Sequence, residues 1–326
     1  MTYFILPRLL PSINLHLTII SLMTTNNSSY PLISIITLNY NQPEVTCEFL
    51  NSCKQLTYPN YEIIVCDMAS YKDPRSVIEP SLSNYAKLYV SDKNLGFAGG
   101  NNWGMQFAQG DYILLLNNDT EVSPNLLEKL LIPFETDLAT GIVCPLIKYF
   151  EFPNRIQYAG FSKMNTLTGR TRTIGYGEED SGQYNRIIPT FGGHGAAMMV
   201  KKNVISEVGR LPEAFFLYYE EWDWSTRILR AGFKIYLQGE TTVYHKESMT
   251  VGKRSLQKEY YLTRNRILYM RRNYGGYRFA AFSVFFLFFT FPKSIFKYLS
   301  SGNMDFLKAF LRGVIDNFTM STRSTI

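Results

Sequence analysis

The chain is poor in the residues that build metal clusters and covalent frameworks: its 326 residues include four cysteines and three histidines. Cys47, Cys53, Cys66 and Cys144 form no Cys-x-x-Cys pair and stand in segments that read as helix or strand. A disulfide scaffold and a Cys/His zinc site are thereby set aside, and buried free thiols are expected. The glycine-rich stretch near residue 96 does not match Gly-x-Gly-x-x-Gly, which weakens a dinucleotide-binding reading. Low-complexity linkers and internal repeats are also missing. A hydrophobic content of 46% fits a globular protein with one substantial core, and the net charge of +6 points to an anionic partner, either a phosphorylated substrate or an acidic membrane surface rather than nucleic acid.

The two ends are expected to differ from the middle. Met1 to Met23 is apolar but broken by Pro7, Arg8, Pro11 and His16, without the clean core and cleavage site of a signal peptide. Met23 before Thr24-Thr-Asn-Asn-Ser-Ser29 reads as an alternative start, so residues 1–30 are expected to be a variable extension. From Phe279 to Phe291 the chain is almost wholly apolar, then Pro292 and Lys293 interrupt it. Those 13 residues fall short of the roughly 20 that span a bilayer. An interfacial helix is expected, with Arg271, Arg272, Arg278, Lys293 and Lys297 at the headgroups and the stretch from Asp305 to Phe318 as a second amphipathic helix. Residues 276–326 thus read as a membrane-associated tail.

Between the ends, apolar runs alternate with helical patterns, the signature of a mostly parallel α/β sheet flanked by helices. Leu32 to Leu38, Tyr61 to Cys66, Lys87 to Val90 and Tyr112 to Leu116 read as its first strands. Ligands in such sheets sit at the carboxyl ends of the strands, where Thr37, Asn39, Asp67 and Asn117-Asn118-Asp119 fall. The stretch from Tyr149 to Pro189 lacks periodicity and reads as loops and short strands around an acceptor opening.

Several of these residues have chemistry to offer. Gly96, Gly99 and Gly100, within the run Asn94 to Asn102 that also holds Asn101, permit close approach to phosphate. Asp67 can accept a hydrogen bond from a pyrimidine imide, or form a turn. Asp119 is the natural ligand for a hard divalent cation bridging two phosphates, and His245, at the end of the strand Thr241 to Tyr244, can assist. Glu220, Glu221 and Asp223 sit among aromatic residues, which raise a carboxylate's pKa toward that of a useful base; the same residues also suit a helix N-terminus.

Taken in order, Ser34 to Asn41, Tyr58 to Asp67, Asn94 to Asn102, Leu115 to Asp119, Phe215 to Arg227 and Tyr244-His245 resemble the family two inverting glycosyltransferases of the GT-A fold, especially the rhamnosyltransferase-like branch. The resemblance covers about Leu32 to Lys253 and implies a transferase domain over residues 31–275. It implies that Thr37, Asn39 and Asp67 hold the nucleoside, that Asn117-Asn118-Asp119 stands at the metal motif with His245 as a further ligand for Mn2+ or Mg2+, and that Glu221 stands at the general-base position. Asp223 is a rival base, because the usual Glu-Asp pair has become Glu220-Glu221. Met68-Ala-Ser-Tyr71 also departs from the family's turn after Asp67. The implied partners are a nucleoside-diphosphate sugar, carrying rhamnose on thymidine diphosphate or another sugar on uridine diphosphate, and a glycan or lipid-linked acceptor at the cytoplasmic face of the plasma membrane. A sugar nucleotidyltransferase would need an arginine- and lysine-rich triphosphate loop after the first strand, which is missing; a non-catalytic sugar-binding module would not depend on Glu221.

Overall fold

The computed structural model describes residues 30–246 and 255–322, so all but the last residue of the extension expected over residues 1–30 lies outside the described residues. Strands β1 (Ile33–Asn39), β2 (Tyr61–Asp67), β3 (Ala86–Val90) and β4 (Tyr112–Leu116) pair in parallel in the order β3-β2-β1-β4. The apolar runs of β1, β2 and β4 are buried, with helices Pro43–Cys53 and Gly96–Gly104 covering the sheet, while the edge strand β3 is largely half-buried. In-register pairing sets Asn39 of β1 directly opposite Asp67 of β2, both at carboxyl ends.

Beyond β4 the sheet changes character. Strand β9 (Ala197–Lys201) runs antiparallel to β4 and to β6 (Thr140–Tyr149), and the 12-residue β10 (Lys234–His245) returns parallel to β6. Short strands β5 (Thr120–Val122), β7 (Ile156–Tyr158) and β8 (Ile187–Thr190) add antiparallel edges. The sheet is therefore mixed: the expected parallel pairing is unbroken from β1 to β4, and beyond it the parallel β6–β10 pair stands among antiparallel neighbours. The long β10, with a register shift between Gln238 and Thr242, carries His245 alongside Thr120 of β5, one residue from Asp119.

The end of the chain is helical. Helix Leu256–Asn273 packs on helix Met304–Thr319, where Gly313 gives the close approach: a Cβ there would stand 2.8 Å from the Tyr260 carbonyl oxygen. Between them, Gly276–Ser300 forms one helix of 25 residues, longer than the apolar run alone suggests, and by length and composition sufficient to cross a membrane. Pro292 does not end it. A π-turn over Phe286–Thr290 directly precedes the proline, and such turns absorb the missing donor and the ring's clash with the preceding carbonyl. One side of this helix packs inward through Phe282, Phe286 and Tyr298, while Leu287, Phe288, Phe289 and Phe296 stand more than half exposed.

Candidate active site

A cleft of about 380 Å³ opens at the carboxyl ends of β1, β2 and β4. Behind its lining residues Asn39 and Asn118 runs a hydrogen-bonded chain of buried side chains that includes Thr46 and Asp67; Asp67, expected to contact the nucleoside, is fully buried and does not line the cleft. Asn39 Nδ2 donates to Asp67 Oδ1 (2.6 Å), Thr46 Oγ1 donates to Asn39 Oδ1 (2.9 Å), and Asn118 Nδ2 donates to Thr46 Oγ1 (2.9 Å). Ser70 closes the far end, its backbone N–H and hydroxyl both donating to Asp67. This ties the β1 and β2 ends to the Asn117–Asp119 turn, so Asp67 serves as turn former and organiser of the strand ends together.

Asp119 and His245 meet on the cleft wall, each buried, with His245 Nε2 3.2 Å from Asp119 Oδ1. The other ring nitrogen, Nδ1, pairs with Gln157 Oε1 at 2.9 Å; where that amide oxygen accepts, Nδ1 carries the proton and Nε2 presents its lone pair. A carboxylate oxygen without a hydrogen-bond partner then faces an imidazole lone pair, an arrangement that repels itself unless a cation or a proton lies between. The donor set, one carboxylate oxygen and one imidazole, fits a divalent ion that takes its remaining ligands from phosphate and water. Among the described residues no group of three or more His, Cys, Asp or Glu is assembled.

The other expected donor-side residues are distributed unevenly. Asn94, Asn117 and Asn118 line the cleft. Thr37 is fully buried, its hydroxyl has no partner, and it does not reach the cleft. The glycine run is a helix rather than a phosphate-cradling loop. A Cβ on Gly100 would stand 2.8 Å from Met68 Sδ and 2.9 Å from Leu38 Cδ1, so this glycine lets the helix lie directly on the sheet. Gly99 and Asn101 likewise face protein, with Asn101 Nδ2 donating to the Phe97 carbonyl. Only Gly96 and Phe97 of this helix line the cleft. Gly96, at φ +69°, sits against the Phe216 carbonyl oxygen, 2.5 Å from where a Cβ would be.

A second pocket, of about 390 Å³, adjoins the first at Tyr218, which lines both. Glu221 and Trp222 project into it from the first turn of helix Glu220–Arg230. Desolvation raises Glu221 to about 7, and its Oε2 is buried with no hydrogen-bond partner. Glu220 is raised further, first by desolvation and then by the charge of Glu221. Asp223 is held differently: Oδ1 accepts from Arg227 Nε (2.9 Å), while Oδ2 accepts from Arg272 Nε (2.9 Å) and Asn273 Nδ2 (2.8 Å). It is a fully paired carboxylate that lines neither pocket.

The helix bearing Glu221 is launched by strained backbone. Phe216, Tyr218 and Tyr219 all have positive φ, between 65° and 75°, a region that bulky side chains rarely occupy. The strain is held by two buried side chains that sequence reasoning missed. Asn265 Nδ2 lies 2.9, 2.7 and 2.7 Å from the carbonyls of Phe215, Leu217 and Tyr218, and Arg264 Nη2 donates to Ala214 and Phe215. The available signal was the polar run Thr263-Arg264-Asn265-Arg266 in a helix whose neighbours are apolar. His194 was also missed as a cleft residue. Burial and the nearby His245 pull it down to about 3, and its Nδ1 accepts from the Ala196 N–H (3.1 Å), so a neutral ring donates through Nε2.

These features describe an α/β protein with a polar cleft at its strand ends, where Asp119 meets His245, and an adjoining pocket that carries a carboxylate of raised pKa. Residues 34–208, more than half of the chain, match the model of Glycosyl transferase family 2, and the chain belongs to that family. Its relatives include the low-salt glycan biosynthesis hexosyltransferase Agl10 of Haloferax volcanii, 26% identical over 208 residues that cover 62% of this chain and 63% of Agl10. The match spans less than two thirds of that relative's length. Among solved structures, a mannosyltransferase from Pyrobaculum calidifontis, in complex with GDP-Man and Mn2+, has TM-score 0.54 at 13% identity and covers 93% of this chain and 94% of its own. GalNAc-T7, with UDP, GalNAc and Mn2+, has TM-score 0.56 at 16% identity over 83% of this chain and 58% of its own. At these identities the likeness bears on the fold, which is the GT-A arrangement.

Proposed function

We propose that the chain is an inverting, metal-dependent glycosyltransferase that moves a sugar from a nucleoside diphosphate to a hydroxyl of a growing glycan or lipid-linked acceptor. The observation that carries the reading is the convergence of Asp119 Oδ1 and His245 Nε2 at 3.2 Å beside a cleft at the strand ends. Asp119 and His245 would hold Mn2+ or Mg2+; the chemistry such an ion supplies is neutralisation of charge on the departing diphosphate. Asn39, Asp67 and Asn118 keep the cleft floor in shape under the nucleoside. Lys258 is the one lysine or arginine among the described residues lining that cleft, and it offers the diphosphate a positive charge.

Glu221 takes the acceptor's proton. A base held near pH 7 can remain ionised at neutral pH and still bind a proton in the transition state, and the unpartnered Oε2 is free to do so. The acceptor oxygen then attacks the anomeric carbon from the face opposite the leaving group. One displacement inverts the configuration without a covalent sugar–enzyme intermediate. Asp223, with both oxygens engaged, positions the helix rather than acting as base. A division into a transferase body at 31–275 and a tail at 276–326 is part of this reading. The exposed phenylalanines of Gly276–Ser300 favour a peripheral location at the cytoplasmic face of a membrane.

The test is nucleoside diphosphate release from a panel of sugar nucleotides, dTDP-rhamnose and UDP-sugars included, with Mn2+ or Mg2+. Release from one donor that is lost in Asp119→Ala and slowed in Glu221→Gln supports the reading and identifies the sugar. If no donor turns over while a nucleoside triphosphate binds, the reading fails in favour of a nucleotidyltransferase.

A further inference from the structure

The pocket that holds Glu221 contains two cations with no assigned work. Arg266 is 5% exposed, yet it makes no hydrogen bond or ion pair among the described residues, and its Nε is buried without a partner. Its guanidinium carbon stands 4.9 Å from the Phe286 ring centroid and 6.0 Å from that of Phe282. Ring faces stabilise such a group only in part, and a buried charge without a partner is costly to keep. Arg170 lines the same pocket and is likewise without an ion pair among the described residues.

The turn that carries Arg170 packs against Arg266, close enough for the two charges to act on each other. Gly169, at φ +61°, packs so that a Cβ would stand 3.1 Å from Arg266 Cγ, Met270 Cγ and Phe282 Cε2 alike. Its carbonyl accepts from Tyr219 Oη (3.0 Å), and the Asn165–Arg170 turn is closed by two backbone hydrogen bonds. Burial pulls Arg266 down to about 10, Arg170 reinforces the shift, and Tyr219 and Glu259 oppose it. Glu221 and Glu259 line the pocket as well, but neither is within ion-pair distance of either arginine. Part of the wall comes from the end of the chain: Thr290 and Ser294 of the long apolar helix and Phe310 of the last helix. That long helix turns Leu287, Phe288, Phe289 and Phe296 outward.

We propose that Arg170 and Arg266 form an anion subsite, separate from the donor's diphosphate site, that binds the phosphate of a lipid-linked acceptor. The acceptor's lipid lies along the exposed face of Gly276–Ser300, and its accepting sugar, close to the phosphate, is presented to Glu221. The subsite deepens the transferase reading and rests on it. The ligand class is a saccharide joined to an isoprenoid-like chain through phosphate or diphosphate.

The probes are farnesyl diphosphate, farnesol and inorganic pyrophosphate. Each is titrated calorimetrically into the full chain in detergent micelles, with EDTA present to suppress diphosphate binding in the donor cleft. Wild type is expected to bind farnesyl diphosphate at least tenfold more tightly than farnesol. Arg170→Gln and Arg266→Gln should each cut that preference below threefold. Arg170 is exposed, so its variant keeps the test sound even if Arg266→Gln misfolds. Equal binding of farnesol and farnesyl diphosphate, or a preference that survives both substitutions, overturns the subsite. Pyrophosphate binding as tightly as farnesyl diphosphate overturns its lipid-linked character and leaves a site for free anions. Manganese-dependent nucleoside diphosphate release by wild type is measured in parallel. Its absence removes the transferase reading itself, whereas release without any diphosphate preference removes only the subsite.

Discussion

The donor cleft and the adjoining Glu221 pocket are built by opposite means. The cleft lies at the ends of regular parallel strands, where Asn39, Thr46, Asp67 and Asn118 satisfy one another by hydrogen bonds while Asp119 Oδ1 is left without a partner beside them. The pocket is assembled from a strained turn, an irregular loop and three C-terminal helices, and it contains unsatisfied atoms on both Glu221 and Arg266. The register of β1, β2, β5 and β10 sets the main polar residues of one site, with Phe216 to Tyr218 and Lys258 docked against them, while distant segments form the whole of the other. The satisfied network keeps the cleft in shape, whereas the unsatisfied atoms of Asp119, Glu221 and Arg266 are where chemistry and ligand recognition are expected.

The sharpest break in this comparison comes from Glu221→Gln, expected to slow sugar transfer by about 10²–10⁴-fold, measured as product formation at pH 8. The same variant should gain stability. Burial raises Glu221 from its ordinary 4.5 to about 7 in the folded state, so the native protein loses stability as pH rises between those values. Removing the carboxyl should raise stability above pH 7 by about 1–3 kcal/mol and leave it nearly unchanged at pH 4, as read by thermal melts. The wild-type transfer rate should climb with pH and level off above about 7, a limb missing from Glu221→Gln.

Asp119→Ala, on the donor side, should lower nucleoside diphosphate release by about 10²–10³-fold and abolish its dependence on Mn2+ concentration. Asp223→Ala tests the scaffold rather than the chemistry. It strands Arg272 and Arg227 beside a buried vacancy and should cost about 3–5 kcal/mol in denaturant melts. The smallest effect is expected for Gly100→Ala, where overpacking on Leu38 and Met68 should cost about 1–3 kcal/mol while leaving the rise of transfer with pH in place.

The same contrast explains what could be read in the sequence. β1, β2 and β4 were legible because apolar runs ending in Asn39, Asp67 and Asn117 report local periodicity. Asp119 and His245 were legible by residue type, and β10 brings together two residues 126 positions apart in the chain (245 − 119). The glycine run misled, since Gly96–Gly104 has poor intrinsic helix propensity and becomes a helix only because close packing on Leu38 and Met68 overrides it. The roles of Arg264 and Asn265 were hidden because their acceptors are carbonyls some 50 residues away, and no local pattern encodes such a contact. The tail helix was read too short because Pro292 normally ends a helix, and the π-turn before it leaves no mark in composition.

The division of labour between the two pockets is tested by calorimetric binding of the turned-over sugar nucleotide with Mn2+ to wild type, Asp119→Asn and Glu221→Gln. The prediction is that Glu221→Gln binds donor within threefold of wild type while Asp119→Asn loses at least tenfold. Equal losses in the two variants would contradict the division and make Glu221 part of the donor site.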